Sequence, residues 1–132
     1  MAYTVSSLDE LGDGYGFRKI RGPLGVTAFG VNAIVYPPGA EGVGHFHDTQ
    51  DELYFVHRGT ARYEFEDGAQ TVGAGGVVHV ESTTPRKVSN AGDDELVVLV
   101  VGGKGGYVER DGHAMSDADV ERRQRIARGW AD

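Results

Sequence analysis

The residues of this chain whose types and spacing could do chemistry are His45, His47 and Glu52. In an extended strand, residues two apart share a face. His45 and His47 then point one way and Phe46 the other. Asp48 to Gln50 can turn the chain, and Glu52 opens the next strand and can return a carboxylate toward the two imidazoles. Two imidazoles and one carboxylate make a facial triad that holds a divalent ion and leaves coordination positions open. With nitrogen and oxygen donors only, Fe(II), Mn(II), Zn(II) and Ni(II) are the candidate metals. An isolated His-x-His is more often a pair of ordinary strand residues, because short motifs recur by chance.

The elements around the triad read as short strands bounded by Gly, Pro, Asn and Asp. They are Val26 to Tyr36, Glu52 to His57, Ala61 to Glu66, Val77 to Val80, Arg86 to Asn90 and Leu96 to Val101. Many short strands with no helical pattern between them indicate an all-β sandwich or barrel. Ala61, Tyr63 and Phe65 alternate with Arg62, Glu64 and Glu66, which is a half-buried strand. Asp67-Gly68 follows, a signal for a type I′ hairpin. Leu96 to Val101 does not alternate and reads as a strand buried on both faces or covered by a partner. Only the tail is helical: Ser116 caps a helix with Asp119 at the third position, running to about Arg128 and stopped by Gly129.

The stretch from Gly39 to Gly59 carries Gly, five residues, His-x-His, four residues, Glu, six residues, Gly, with Pro37-Pro38 in front. It resembles the first motif of the cupin superfamily. The resemblance covers about residues 26 to 102 and implies an antiparallel jelly-roll barrel with its ligand site inside the mouth. It also implies a homodimer formed through the sheets. One domain is expected over 1–132: an N-terminal strand arm at 1–25, the barrel core at about 26–102, and a C-terminal tail and helix at 103–132. Tyr3 to Leu8 is expected to pair as an edge strand across the dimer, since exposed sheet edges need cover.

The second cupin motif is degraded. Gly68, Gly75 and Asn90 match its pattern, Gly73 replaces a Pro, and the family's fourth metal ligand, a His, falls on Arg86. A guanidinium has no lone pair for a metal. At about 5 Å from a divalent ion it would repel it by roughly 7 kcal/mol at an effective dielectric of 20. Arg86 must therefore turn away, face the metal across an anionic ligand, or pair with Glu52 in place of a metal. His79, on the preceding strand, is a candidate third imidazole whose direction is open. His57 has odd parity relative to Glu52 and faces out when Glu52 faces in. His113 is expected to be exposed.

The same parity lists the pocket walls: Glu52, Tyr54 and Val56 on one strand, Tyr63 and Phe65 on the next, Arg86 and Val88 on a later one. Arg86, Tyr54 and Tyr63 are the candidate ligand-binding residues, and Tyr54 is the candidate acid or base. Two readings of function follow. One is a metal-dependent enzyme of dioxygenase, isomerase, decarboxylase or lyase type acting on a small anionic molecule. The other is a metal-free or non-catalytic cupin that binds or senses such a molecule, with Arg86 in place of the fourth ligand.

Composition excludes other classes. The 132 residues hold no Cys, so disulfide scaffolds, thiolate sites and Cys nucleophiles drop out. The chain carries 13 Lys and Arg against 20 Asp and Glu, a net charge of −7, which argues against nucleic-acid binding. The longest aliphatic run, Leu96 to Val101, is far short of the about 20 residues a membrane span needs. With no leader-like start, a cytoplasmic chain is expected.

Overall fold

The structure is a computed structural model and describes residues 2–131. In chain order it contains β1 (Gly16–Lys19), α1 (Arg21–Leu24), β2 (Gly30–Tyr36), β3 (His45–His47), β4 (Asp51–Arg58), β5 (Thr60–Phe65), β6 (Gly68–Gly73), β7 (Val77–Val80), β8 (Lys87–Asn90), β9 (Leu96–Gly103), β10 (Gly112–Ala114) and α2 (Asp117–Ala127). Five strands form one sheet in the order β1-β2-β9-β4-β7 and three form another in the order β6-β5-β8. A two-stranded ribbon, β10-β3, lies beside them. Every ladder is antiparallel.

Alternation along the strands builds the core. Tyr54 and Val56 of β4, Val98 and Val100 of β9, and Tyr36 of β2 meet Ala61 and Tyr63 of β5 and Val88 of β8. The sandwich is a jelly-roll barrel with one short C-terminal helix. Leu96, Val97 and Val98 are buried in succession because β9 is the middle strand of the large sheet, with a ladder on each side.

Two motif glycines have backbone reasons. Gly39 and Gly59 both take left-handed φ, +70° and +86°, which other residues rarely adopt. A Cβ on Gly59 would also stand 2.5 Å from the Glu95 carbonyl oxygen. Asn90, the last residue of the degraded second motif, is a clasp. Its Nδ2 donates to the Pro37 and Asp94 carbonyls at 2.9 and 2.8 Å, and its Oδ1 accepts from Gly92 N–H.

Within its own chain Tyr3 to Leu8 has no ladder partner, and Tyr3 and Val5 are 71% and 83% exposed, so the first strand of the chain is β1 at Gly16. Two local expectations are corrected. Val26 to Phe29 is a loop, so β2 begins four residues later than its apolar run. In the β5–β6 hairpin Phe65 pairs with Gly68, so the turn is Glu66-Asp67. Neither turn residue has positive φ, so it is not type I′; Gly68, at +144°, absorbs the unusual conformation. No helix among the described residues is long and apolar enough to cross a membrane.

Helix α2 forms as its sequence indicates. Ser116 Oγ accepts from Asp119 N–H at 3.1 Å and caps it. The Asp119 carboxylate also accepts from Gly44 N–H at 2.9 Å and from Arg122 at 2.8 Å, which ties the helix to the residue before His45. Burial pushes the Asp119 carboxyl up, but the bonds from Gly44, Ser116 and Arg122 outweigh it and hold it below its usual range. Its stabilisation is present above the unfolded carboxyl value of about 3.9 and fades as pH falls below it. Asp119→Ala orphans a buried N–H and is expected to cost about 2 kcal/mol near neutral pH. In urea titrations the gap between wild type and variant should narrow below about pH 4; a gap independent of pH would refute the assignment.

Candidate metal centre

Three residues of β3 carry both imidazoles, and the strand is held on both sides. His45 and Arg86 exchange two backbone hydrogen bonds of 2.9 Å, and His47 N–H donates to the Ser82 carbonyl at 2.8 Å. On the other side His45 pairs with Ala114 and His47 with Gly112 of β10. Phe46 points away and stacks on His113, ring centroids 5.2 Å apart. Glu52 enters from β4 on the face that also buries Tyr54 and Val56. The three expected ligands thus converge, with one donor atom of each within 4.8 Å of the others.

The outer nitrogens of both rings are committed. His45 Nδ1 faces the Val43 carbonyl at 2.9 Å, and His47 Nδ1 faces Asp111 Oδ1 at 2.8 Å. Both partners accept, so each Nδ1 carries the proton and each Nε2 turns a lone pair inward. Glu52 Oε1 lies 3.0 Å from His47 Nε2 and 3.7 Å from His45 Nε2. In that tautomer His47 Nε2 is a buried acceptor facing another acceptor, with no hydrogen-bond partner. A proton or a cation between them resolves the conflict, and this donor set suits a divalent ion.

The charges respond accordingly. Burial pushes the Glu52 carboxyl up, but the His45 and His47 imidazoles beside it and the Tyr54 hydroxyl outweigh it and hold it far below the usual carboxylate range. Burial pulls the His47 imidazole down, Glu52 and Asp111 outweigh that, and the net shift is upward. Tyr54 Oη donates to Glu52 Oε1 at 2.6 Å. Burial and the Glu52 charge push its phenol well above the ordinary value, so Tyr54 keeps its proton at neutral pH.

Arg86 is almost fully buried, with 1% of its surface exposed. Nη2 lies 3.5 Å from Glu52 Oε1, and Nη1 donates to the Ser82 and Thr84 carbonyls at 3.1 and 3.0 Å. Of the alternatives open in the sequence, the guanidinium takes the pairing with Glu52. It stands behind the cavity wall, as does Tyr63, which is fully buried and packs edge-on to Tyr54 with centroids 5.5 Å apart. Tyr54 does line the cavity, which has a volume of 470 Å³ and also holds the three converging residues.

His79 is excluded as a ligand. It pairs with Leu53, on the outward face of β4, and is exposed. Strand parity decides this once the register is known: Val80 pairs with Glu52, so Val80 faces in and His79 out. His57 is exposed as parity predicts, and His113 is exposed with Nε2 2.8 Å from Asp48.

The sequence gives no sign of a further functional residue, Asp111. Besides His47 it accepts from Thr49 N–H, Gln50 N–H and Gln50 Nε2. Burial pushes its carboxyl up, and the bonds from Gln50, Thr49 and His47 outweigh it and hold it below the usual range. Such a carboxylate fixes the ring orientation and tautomer of a ligating imidazole. It lies 64 residues from His47, and no local pattern marks it.

No curated protein sequence matches the chain. Solved structures do. A cupin protein from Bacteroides fragilis superposes with a TM-score of 0.68 at 22% identity, covering 89% of this chain and 95% of that one. A sugar phosphate isomerase of the cupin superfamily from Silicibacter pomeroyi gives 0.63 at 25% identity, covering 77% and 68%. A mutant of Bacillus subtilis oxalate decarboxylase gives 0.62 at 22% identity, covering 79% of this chain but 29% of that one. The family model of the Cupin domain matches residues 33–102, more than half of the chain, from within β2 to near the end of β9. Sequence motif, barrel and family match agree, and the chain belongs to the cupin family.

Proposed function

We propose that this cupin binds a divalent metal through His45 Nε2, His47 Nε2 and a Glu52 oxygen, and takes a small anionic molecule into the cavity above it. One observation carries the reading: two inward Nε2 lone pairs meet a carboxylate oxygen, with both Nδ1 atoms already committed elsewhere. Fe, Mn, Zn and Ni all suit such a donor set. When bound, the metal would act as a Lewis acid on a carbonyl, carboxylate or phosphoryl oxygen of the ligand. The protein's own residues hold the geometry. Asp111 and the Val43 carbonyl orient the imidazoles, and Tyr54 keeps a proton on Oη against Glu52. Isomerase, decarboxylase or lyase chemistry is the enzymatic form of this reading; the neighbour at 25% identity is named a sugar phosphate isomerase.

A second reading, a binding or sensing protein with weak or no metal, is favoured by one observation. Arg86 occupies the fourth-ligand position and supplies a buried positive charge to Glu52. Metal analysis of protein purified without chelator or His tag, followed by calorimetric titration with Mn(II) and Zn(II), separates the two. Stoichiometric binding supports the first reading; no binding of either ion leaves the second.

Asp111→Ala frees the His47 ring and orphans the Thr49 and Gln50 donors. Metal affinity is expected to fall about 10- to 100-fold, the usual cost of removing such an orienting partner. Unchanged affinity in the same titration would show that Asp111 does not orient the ligand.

A further inference from the structure

A second cavity, of 450 Å³, adjoins the first and shares with it Asn32, His47, Gln50, Glu52, Val100 and Arg110. The two together are lined by four cations, Lys19, Arg21, Arg110 and Arg123. Their only carboxylates are Glu52 and Asp111. Both are committed, Glu52 to His47, Tyr54 and Arg86, and Asp111 to His47 and the Thr49–Gln50 turn. The chain as a whole has a net charge of −7, so the mouth reverses the sign of the protein around it.

Two of these cations, Arg110 and Arg123, line the cavity that holds His45, His47 and Glu52 together. Arg110 lines both cavities and precedes Asp111, whose carboxylate is held by His47, Thr49 and Gln50. Arg123 projects from α2, which Asp119 ties to Gly44 beside the first ligand. Both are exposed, and none of the ion pairs among the described residues includes either. Much of the same cavity's lining is apolar, including Ile34, Val100 and Ile126. Uncommitted guanidiniums at the rim of a partly apolar pocket suit the planar oxyanion of a carboxylate or phosphate.

We infer that Arg110 and Arg123 form an anion-binding rim, and that the ligand is a small organic molecule with an oxyanion at one end and an oxygen donor at the other. The oxyanion lies on the rim, the middle against the apolar wall, and the far oxygen toward His45, His47 and Glu52. Arg86, sealed behind the wall, takes no part in holding it. The far end rests on the metal reading; the rim does not.

Calorimetry tests both ends separately. Mn(II) alone is titrated first into wild type and Arg110→Gln/Arg123→Gln. Succinate, adipate and ribose 5-phosphate are then titrated into each protein, with butane-1,4-diol and ribose as neutral controls. Removing each guanidinium is expected to weaken oxyanion binding about tenfold, so the double variant should bind about 100-fold more weakly. Arg110→Lys/Arg123→Lys should fall between, since an ammonium keeps the charge but not the fork. Arg58→Gln/Arg62→Gln removes the same net charge from residues that line neither cavity and should change nothing. A preference for the dicarboxylates or for the phosphate assigns the oxyanion. Mn(II) affinity should agree between wild type and the rim variant within about threefold. If Mn(II) does not bind but the oxyanions bind with the same arginine dependence, the metal reading fails and the rim stands. The rim is overturned if none of the three anions binds wild type, if the rim variant binds them equally well, or if the Arg58/Arg62 variant is weakened as much.

Discussion

Glu52→Gln is expected to lose metal binding and to destabilise the metal-free protein at the same time. Its carboxylate is the shared partner of His45, His47, Tyr54 and Arg86, all four of which meet it at Oε1. An amide ligates weakly, and it leaves the Arg86 guanidinium buried without a counter-charge. Removing one partner of a buried ion pair costs about 3 kcal/mol. For a chain of this size that is roughly 10 °C in Tm. The paired variant His45→Ala/His47→Ala isolates the metal effect. It removes two ligands but leaves Glu52 facing Arg86 and Tyr54, so its metal-free Tm should stay within a few degrees of wild type. Its metal affinity should fall by well over about 100-fold, because even outer partners of a ligand are worth about 10- to 100-fold. Thermal melts with and without Mn(II) read both effects. Equal melting of Glu52→Gln and wild type without metal would mean that Arg86 draws no stability from Glu52.

Arg86 is expected to act with opposite signs on fold and metal. Arg86→Ala removes a buried cation, frees the Ser82 and Thr84 carbonyls and opens a cavity, so the metal-free protein should lose about 3 kcal/mol. The same change removes the positive charge beside the Glu52 oxygen, so metal affinity should rise. Arg86→His should raise it further. His45 and Arg86 are directly paired across an antiparallel bridge, which sets their side chains on one face. An imidazole at 86 would stand next to His45, with a lone pair to offer. Each 1.4 kcal/mol gained is about a tenfold rise in affinity. The expected order of metal affinity is therefore Arg86→His, then Arg86→Ala, then wild type, while metal-free stability is highest in wild type. Calorimetry for affinity and urea titration for stability check the two orders independently. A wild type that binds metal more tightly than both variants would show that Arg86 supports the metal site rather than replacing a ligand.

The inward parity of His45, His47, Glu52 and Tyr54, the alternation of β5 and the Ser116 cap of α2 were all legible in the sequence. Each depends on the period of a single strand or on contacts within a few residues, which the chain specifies locally. The Gly39 and Gly59 positions were legible for the same reason, since each marks its own backbone conformation. The direction of His79 was not legible, because parity orients a strand only after its partner and register are known, and Leu53↔His79 is set by how β4 and β7 meet. Asp111 and Arg110 sit in a tail with no motif of its own. They reach the site because β10 pairs with β3, which places residue 112 opposite residue 47. Arg123 joins them because Asp119 anchors α2 at Gly44. The candidate ligand types and their local facing are thus properties of the sequence. The carboxylate against His47, the buried cation against Glu52 and the two arginines of the proposed rim come from long-range pairing. That pairing is decided by the burial and hydrogen bonding of the whole barrel, which no local period encodes.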